Sequence, residues 1–421
     1  MLSWEYPPHK IGGIAEHVSA LSKALARRGQ EVHVVTPVTP GSMGDYEQQE
    51  EGVYLHRIAV DSSMPDFISR MNEGMKQAGA YLIPDRNIDI IHAHDWMVSD
   101  AAIELAHEYR RPLIATVHST EFGRSQGIKE EYQMRIHEKE ARLVGLASHV
   151  IVCSESMKRE LRGLFGLDDN DNISVIPNGV DIAKFNFMVD ESAMKERFCG
   201  SRSAKMILFL GRLVYQKGVN VLIGALSRVL AACPDARLVI VGEGPMRRQL
   251  ERDVSFLGIK KDVVFTGYLD DWTVRCLLKA ADVLVVPSIY EPFGIVALEA
   301  MAAMAPVVAS DVGGISEIIN NDEGVKVPPD NSEALANAII KVLHTDDTDV
   351  KEMVERGYRK ASLMNWDDIA ETTFDIYTRI LDSEYRNENG ICGCSREDVG
   401  SGDNYKAVEV EAGKLWRFQY S

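Results

Sequence analysis

The sequence predicts an α/β protein built from two doubly wound, Rossmann-like domains that face a cleft. Three observations lead there. Apolar runs of strand length alternate with amphipathic helical segments, the pattern of βαβ units whose parallel strands are covered on both faces. The alternation is interrupted at the turn signal Pro177-Asn178-Gly179 and a polar, helix-prone stretch, and then restarts. The 421 residues also exceed what one hydrophobic core comfortably serves.

In the first domain, residues 1–180, Ile14, Val18, Leu21 and Leu25 recur at helical spacing up to Gly29, and Val32 to Val35 follow as a strand. Further strands are predicted at Ile88 to Ala93, Leu113 to Thr116, Val150 to Cys153 and Ile173 to Ile176. The strand that such sheets place centrally is reduced to Met1 to Trp4, ahead of Glu5-Tyr6-Pro7-Pro8 and a Gly-rich turn, as expected if a few upstream residues are missing. The second domain, residues 181–365, carries strands at Met206 to Leu210, Leu238 to Val241, Val263 to Thr266, Val283 to Val286 and Val307 to Ala309. A last amphipathic helix covers residues 366–382, and residues 383–421 read as a mobile tail or an added patch.

Composition narrows the function classes. With 63 acidic against 46 basic residues the net charge is -17, which argues against a general polyanion binder and so against nucleic acid. Six scattered cysteines, of which only Cys392 and Cys394 are close, give neither a disulfide framework nor a four-ligand zinc pattern, and a reducing cytoplasm fits best. No run approaches the roughly 18 apolar residues a membrane span needs, and no signal peptide opens the chain, so no integral membrane segment is expected.

The residues that carry chemistry cluster where strands end. Lys10-Ile11-Gly12-Gly13 opens a helix, so backbone amides and the helix dipole can meet a diphosphate there, although a Gly pair is by itself as readily a plain tight turn. Gly211-Arg212-Leu213 with Gln216-Lys217-Gly218 follows a strand directly and puts two cations where open α/β sheets bind ligands. Val241-Gly242-Glu243-Gly244 and Phe265-Thr266-Gly267-Tyr268 are further junctions of this kind, equally readable as turns and packing. The richest segment runs from Pro287 through Glu291-Pro292-Phe293-Gly294-Ile295 to Glu299. A strand, a Pro loop and a helix starting near Phe293 make an anion site, and Glu299, about 9 Å along the helix axis, leaves two carboxylates able to straddle a diphosphate. In the first domain His92-Ala93-His94-Asp95-Trp96 and His118-Ser119-Thr120-Glu121-Phe122-Gly123-Arg124 end two strands and face the cleft. His92, His94 and Asp95 lack a persuasive third and fourth metal ligand, so no metal is expected.

Taken together, Trp4-Glu5-Tyr6-Pro7-Pro8, the Lys10-x-Gly-Gly turn and the Glu291 to Glu299 segment resemble the group-1 retaining glycosyltransferases, and among them the glycogen synthases. The resemblance extends to about residue 382. It implies the GT-B fold, with the C-terminal helix crossing back to the first domain, and transfer of a hexose from a nucleoside-diphosphate sugar. It assigns catalysis to Glu291, His118, Arg212 and Lys217. Donor contacts fall to Lys10, Gly12, Gly13, Gly242 and Tyr268, to Phe293, Gly294 and Ile295, and to Glu299. Asp95, Glu121 and Arg124 lie on the acceptor side. No cofactor is implied, the donor being a substrate, and the partners expected are a sugar nucleotide and a glucan or other carbohydrate. A lipid, small-molecule or cell-surface polysaccharide acceptor, or a sugar-nucleotide epimerase, are the rival readings. The donor base, the sugar and the oligomeric state stay open.

Overall fold

The computed structural model describes residues 1–38, 46–60, 66–168, 172–320, 322–344 and 347–388. Residues Met1–Leu381 make up one compact unit that contains both sheets. In the first half Val32–Pro37 pairs in parallel with Val53–Ile58, whose other edge takes Tyr46–Glu50 antiparallel. Ile91–His94, Leu113–Val117, His149–Val152 and Ile173–Val175 form a second, all-parallel run. Leu2 joins the two runs, bridging to Val35 on one side and Ala93 on the other. Its amide donates to the His92 carbonyl at 2.8 Å and its carbonyl accepts from His94 N at 3.1 Å. The short segment at the chain start is therefore central, as the sequence requires, and the direction of winding reverses beside it.

The second half repeats the plan more fully. Six parallel strands lie in the order Val263–Gly267, Ala236–Val241, Lys205–Leu210, Val283–Val286, Val307–Ser310, Val325–Val327. Winding starts at Lys205–Leu210, runs to one edge, then jumps back to Val283–Val286. That reversal leaves a crevice beyond the C-terminal ends of the two central strands, the usual ligand position in open α/β sheets. Val283–Val286 and Val307–Ser310 are buried at every position, which is why they read as continuous apolar runs rather than alternating ones. Close approach at the strand ends depends on glycine. Gly242 has φ +129, and a Cβ on it would lie 2.0 Å from the Gly211 carbonyl oxygen.

The helix Trp366–Glu388 returns to the first half, burying Trp366, Ile369, Ala370, Ile376 and Ile380 against Tyr6, Leu21, Leu25 and Ile114. At the crossing, Val180 N donates to the Met364 carbonyl at 2.8 Å, so the outgoing and returning chain run side by side.

Several boundaries differ from expectation for local reasons. The strand expected from Ile88 begins at Ile91, because Ile88 N is spent on the Ile83 carbonyl in the turn that ends the preceding helix. The helix expected from near Phe293 begins at Ile295, since Gly294 before it has φ +107, outside the helical region. Glu299 is accordingly nearer the helix start than the sequence spacing suggested. The last helix continues to Glu388, past the expected end. The rest of the expected tail, 389–421, lies outside the described residues. Tyr46–Glu50, Val53–Ile58 and Val325–Val327 were not anticipated. The first is polar and largely exposed, the second carries the buried polar residues His56 and Arg57, and the third is three residues long.

Candidate active site

A cleft of about 410 Å³ opens where the two winding reversals face each other. On the second-half wall, Arg212 follows the strand Lys205–Leu210, and Lys217 ends the short 3-10 turn Tyr215–Lys217. Glu291 sits in the loop after Val283–Val286. The two loops are tied together by main chain, with Ile289 N and Tyr290 N donating to the Gln216 carbonyl at 2.8 and 3.3 Å. This brings side chains 74 residues apart in sequence into an ion pair, Lys217 Nζ to Glu291 Oε2 at 2.6 Å. Ser288 Oγ donates to the same carboxylate oxygen at 3.0 Å. Glu291 is only 8% exposed, so its charge is compensated chiefly by Lys217. Phe293, Gly294 and Ile295 also line the cleft, where the first turn of the helix Ile295–Ala302 meets it without a side-chain cap. A helix N-terminus of that kind favours an anion.

On the facing wall Asp95 adopts φ 64, a left-handed conformation that costs about a kcal/mol or more for a residue with a Cβ and that aims its carboxylate into the turn after Leu113–Val117. Its Oδ1 accepts from His118 N at 2.7 Å. Burial pushes its pKa up to about 6, opposed by the Arg124 charge and the amides of His118 and Ser119. Arg124 is fixed by Glu121 Oε2 at 3.0 Å, Glu140 Oε1 at 3.1 Å and Ser119 Oγ at 2.6 Å. Glu121 also accepts from Ser125 Oγ, so it holds the wall together as much as it faces the cleft. Burial raises Glu140 to about 8 despite the adjacent guanidinium.

His118 reaches the cleft from a cluster of imidazoles. His94 Nδ1 lies 3.3 Å from His118 Nε2, His17 packs edge-on against His118 with ring centroids 4.6 Å apart, and His17 Nδ1 meets Asn178 Oδ1 at 2.6 Å. Burial lowers His17 and His118 to about 3, so both are neutral at pH 7. Among the described residues, His17, His94 and His118 are the grouping with nitrogens near enough, within 4.8 Å, to hold a metal ion. This is a different set from the His92, His94 and Asp95 weighed from sequence. His92 commits both ring nitrogens, to Tyr377 at 2.6 Å and Thr116 at 2.7 Å. Within the cluster the one hydrogen-bond contact is His94 to His118, while His17 Nε2 and His94 Nε2 are buried without a hydrogen-bond partner among the described residues.

The cleft thus gathers Glu291, His118, Arg212 and Lys217 with Gly12, Gly13, Phe293, Gly294, Ile295, Asp95, Glu121 and Arg124. Lys10, Gly242, Tyr268 and Glu299 are not part of its described lining. Lys10 pairs across the halves with Asp271 at 2.6 Å and also with Glu16 at 3.2 Å, while Glu16 takes Lys184 at 2.6 Å. Glu299 lies in this ionic layer. Burial, reinforced by Glu16 and opposed by Lys184 and Lys10, raises its pKa to about 7. Tyr268 is 64% exposed. Sequence reasoning missed Glu5, His17, Asn178 and Tyr290. A histidine on the otherwise apolar face of Ile14, Val18 and Leu21 was the one available signal for His17.

The halves also meet above the cleft. Tyr290 OH donates to Glu160 at 2.9 Å, Ser154 Oγ donates to the Pro292 carbonyl at 2.7 Å, and Glu317 accepts from the amides of Glu155 and Ser156 at 2.9 and 2.8 Å.

Comparison with known proteins identifies the family and the fold. Residues 11–184 match the model of Glycosyltransferase Family 4, and residues 198–360 match that of Glycosyl transferases group 1. A glycogen synthase of Mycobacterium tuberculosis is 36% identical over 397 residues, covering 90% of this chain and 93% of the relative. The chain is a group 1 glycosyltransferase. An uncharacterised glycosyltransferase of Methanocaldococcus jannaschii is 39% identical over 386 residues, covering 90% of this chain and 97% of that one. Among solved structures, sucrose-phosphate synthase from Thermosynechococcus elongatus superposes with a TM-score of 0.80 at 26% identity, over 91% of this glycosyltransferase and 98% of that chain. The fold is GT-B. No helix among the described residues of the glycosyltransferase is long and apolar enough to cross a membrane.

Proposed function

We propose that this glycosyltransferase moves glucose, with retention at the anomeric carbon, from a nucleoside-diphosphate glucose to a glucan. The observation that carries the reading is the Lys217–Glu291 pair facing His118 and Asp95 across one cleft. The leaving diphosphate gains negative charge in the transition state, and Arg212 and Lys217 are the cations positioned to stabilise it. As Lys217 turns to the phosphates, Glu291 is released to accept hydroxyl protons of the donor sugar. His118, held neutral, is able to donate or accept one hydrogen bond near the reacting carbon. The acceptor hydroxyl then attacks from the face the diphosphate leaves: its oxygen bonds to the anomeric carbon as the bond from that carbon to the phosphate oxygen breaks, and its proton passes to the departing diphosphate. Closure of the halves excludes the water that would otherwise hydrolyse the donor.

The glucan assignment is supported by kinship with a glycogen synthase over nine-tenths of the chain. The reaction uses no resident cofactor. A cytoplasmic location suits the four described cysteines, all free thiols. The test is nucleotide release from UDP-, ADP- and GDP-glucose, with and without maltooligosaccharides. Release that depends on the glucan and lengthens it is expected. Release without acceptor, conversion of the donor to an epimer, or no turnover of any donor would overturn the proposal.

A further inference from the structure

His17, His94 and His118 come from three neighbouring elements: the helix Gly13–Arg27, the end of the strand Ile91–His94, and the position just after the adjacent strand Leu113–Val117. Their ring centroids lie 4.6, 5.4 and 5.6 Å apart, and one nitrogen from each ring falls within 4.8 Å of the other two. Three imidazoles on one tetrahedral ion, with metal–nitrogen bonds of about 2.0–2.1 Å, have nitrogens about 3.4 Å and ring centroids about 5.3 Å apart. The centroids already have that mean spacing, and His94 Nδ1 and His118 Nε2, at 3.3 Å, already have that nitrogen separation. The widest nitrogen pair has to close by at most about 1.4 Å, which small ring rotations supply.

The hydrogen bonding is that of ligands rather than of structural histidines. His92, in the same sheet, has both ring nitrogens taken, by Tyr377 and Thr116. His17 has one taken: Nδ1 donates to Asn178 Oδ1 at 2.6 Å, which fixes the tautomer and leaves a lone pair on Nε2. That nitrogen, like His94 Nε2, is buried without a hydrogen-bond partner. Burial keeps all three rings neutral, the form that binds metal. Asp95 puts a carboxylate beside the cluster, its Oδ1 accepting from His118 N at 2.7 Å. His118 is half-buried and lines the cleft, so an ion reaches the cluster from that side.

We propose that His17, His94 and His118 form a binding site for a zinc-class divalent cation, and that the bound ion inhibits transfer by withholding His118 from the donor sugar. Imidazole nitrogen selects zinc, cobalt, nickel or copper over magnesium and calcium, which take oxygen ligands. Three protein ligands leave a fourth position for water or for a group in the cleft. The ion takes no part in the reaction. The metal site stands on its geometry, whereas its inhibitory effect rests on the role given to His118 above.

Co2+ is the probe, because its visible absorption is intense in four-coordinate nitrogen sites and faint in water. A Cys392→Ser, Cys394→Ser background removes the two close thiols of the chain as competing ligands. Binding of one Co2+ per chain is expected, displaced by an equivalent of Zn2+ and by EDTA and indifferent to excess Mg2+. His17→Phe and His94→Phe fill the ring space without a nitrogen and are expected to weaken binding roughly 100-fold or more, with cooperative unfolding retained. Turnover of the nucleotide glucose that the enzyme accepts is expected to fall roughly tenfold or more as Zn2+ fills the site, and EDTA to restore it. The absence of an absorption band at stoichiometric cobalt in the chain that keeps all three histidines, or a band retained by folded H17F and H94F, overturns the site. A filled site with transfer undiminished overturns the inhibition. An enzyme that transfers no glucose refutes the functional reading, and the cobalt titration still decides the site.

Discussion

Replacing Gly123 by alanine tests whether the two halves work in the apposed arrangement seen here. Gly123 sits in the short helix Glu121–Ser125 of the first half. A Cβ at this position would lie 2.2 Å from Cζ of Tyr290 in the second half and 2.5 Å from its hydroxyl oxygen. The ring has little freedom to yield, because its hydroxyl donates to Glu160 at 2.9 Å and accepts from Thr120 N at 3.4 Å. Carbon atoms prefer separations of about 3.5 Å or more, so the halves must part by roughly 1 Å. Within the helix itself alanine is the better residue by about 1 kcal/mol, so the first half does not suffer from the change. The cost falls on the approach of His118 and Asp95 to Glu291, the neighbour of Tyr290. A misplacement of about 1 Å at a reacting centre is worth about 100-fold in rate, or roughly 2.7 kcal/mol of barrier. Steady-state kcat of G123A is therefore expected to fall about 100-fold, with a loss of stability, read from the melting temperature, of no more than the roughly 1–3 kcal/mol that overpacking costs. A kcat within about threefold of wild type, at equal stability, would show that this apposition is not the working one.

Two further outcomes follow from the site. Lys217→Ala removes a cation from the developing diphosphate charge and should lower turnover by about 10²–10³; it also leaves Glu291 buried without its ion-pair partner, so the melting temperature should fall as well, and near-normal kinetics in the folded variant would remove Lys217 from the chemistry. Glu140 carries a pH signature: its folded pKa is raised from 4.5 to about 8, so the folded state holds the proton more tightly than the unfolded chain. Its contribution is complete below about pH 4.5 and is lost as pH rises toward about 8. Glu140→Gln keeps an acceptor for Glu121 N and Arg124 without that loss, so its melting temperature should gain on wild type steadily across this window. Parallel profiles would contradict the buried, protonated Glu140.

The legible part of this protein was its sheet framework and the polar strand ends. Val283–Val286 and Leu113–Val117 are buried on both faces and announce themselves by composition alone. Lys217 and Glu291 were readable as separate signals because each follows an apolar strand, and strand ends converge at the crevice. What stayed hidden depends on tertiary approach. Glu5 reads as one acid in a loop until the uncapped Gly12 turn is seen to need it, and a helix start with glycine at the N-cap was the clue available. Tyr290 and Gly123 are unremarkable in sequence and meet only when the halves do. Lys10 was placed with the donor by its turn, yet here its charge is drawn to Asp271 and Glu16, partners that no local pattern announces.

The side-by-side passage of residues 179–180 and 364–366 has a kinematic consequence. Two strands of chain joined by a backbone hydrogen bond act like the pin of a door. Sliding and twisting of one half on the other would stretch one passage against its neighbour, while rotation about the line they share leaves both intact. Rotation about that line would first have to break the ties on the far side of the cleft, Tyr290 to Glu160, Ser154 to the Pro292 carbonyl and Lys10 to Asp271.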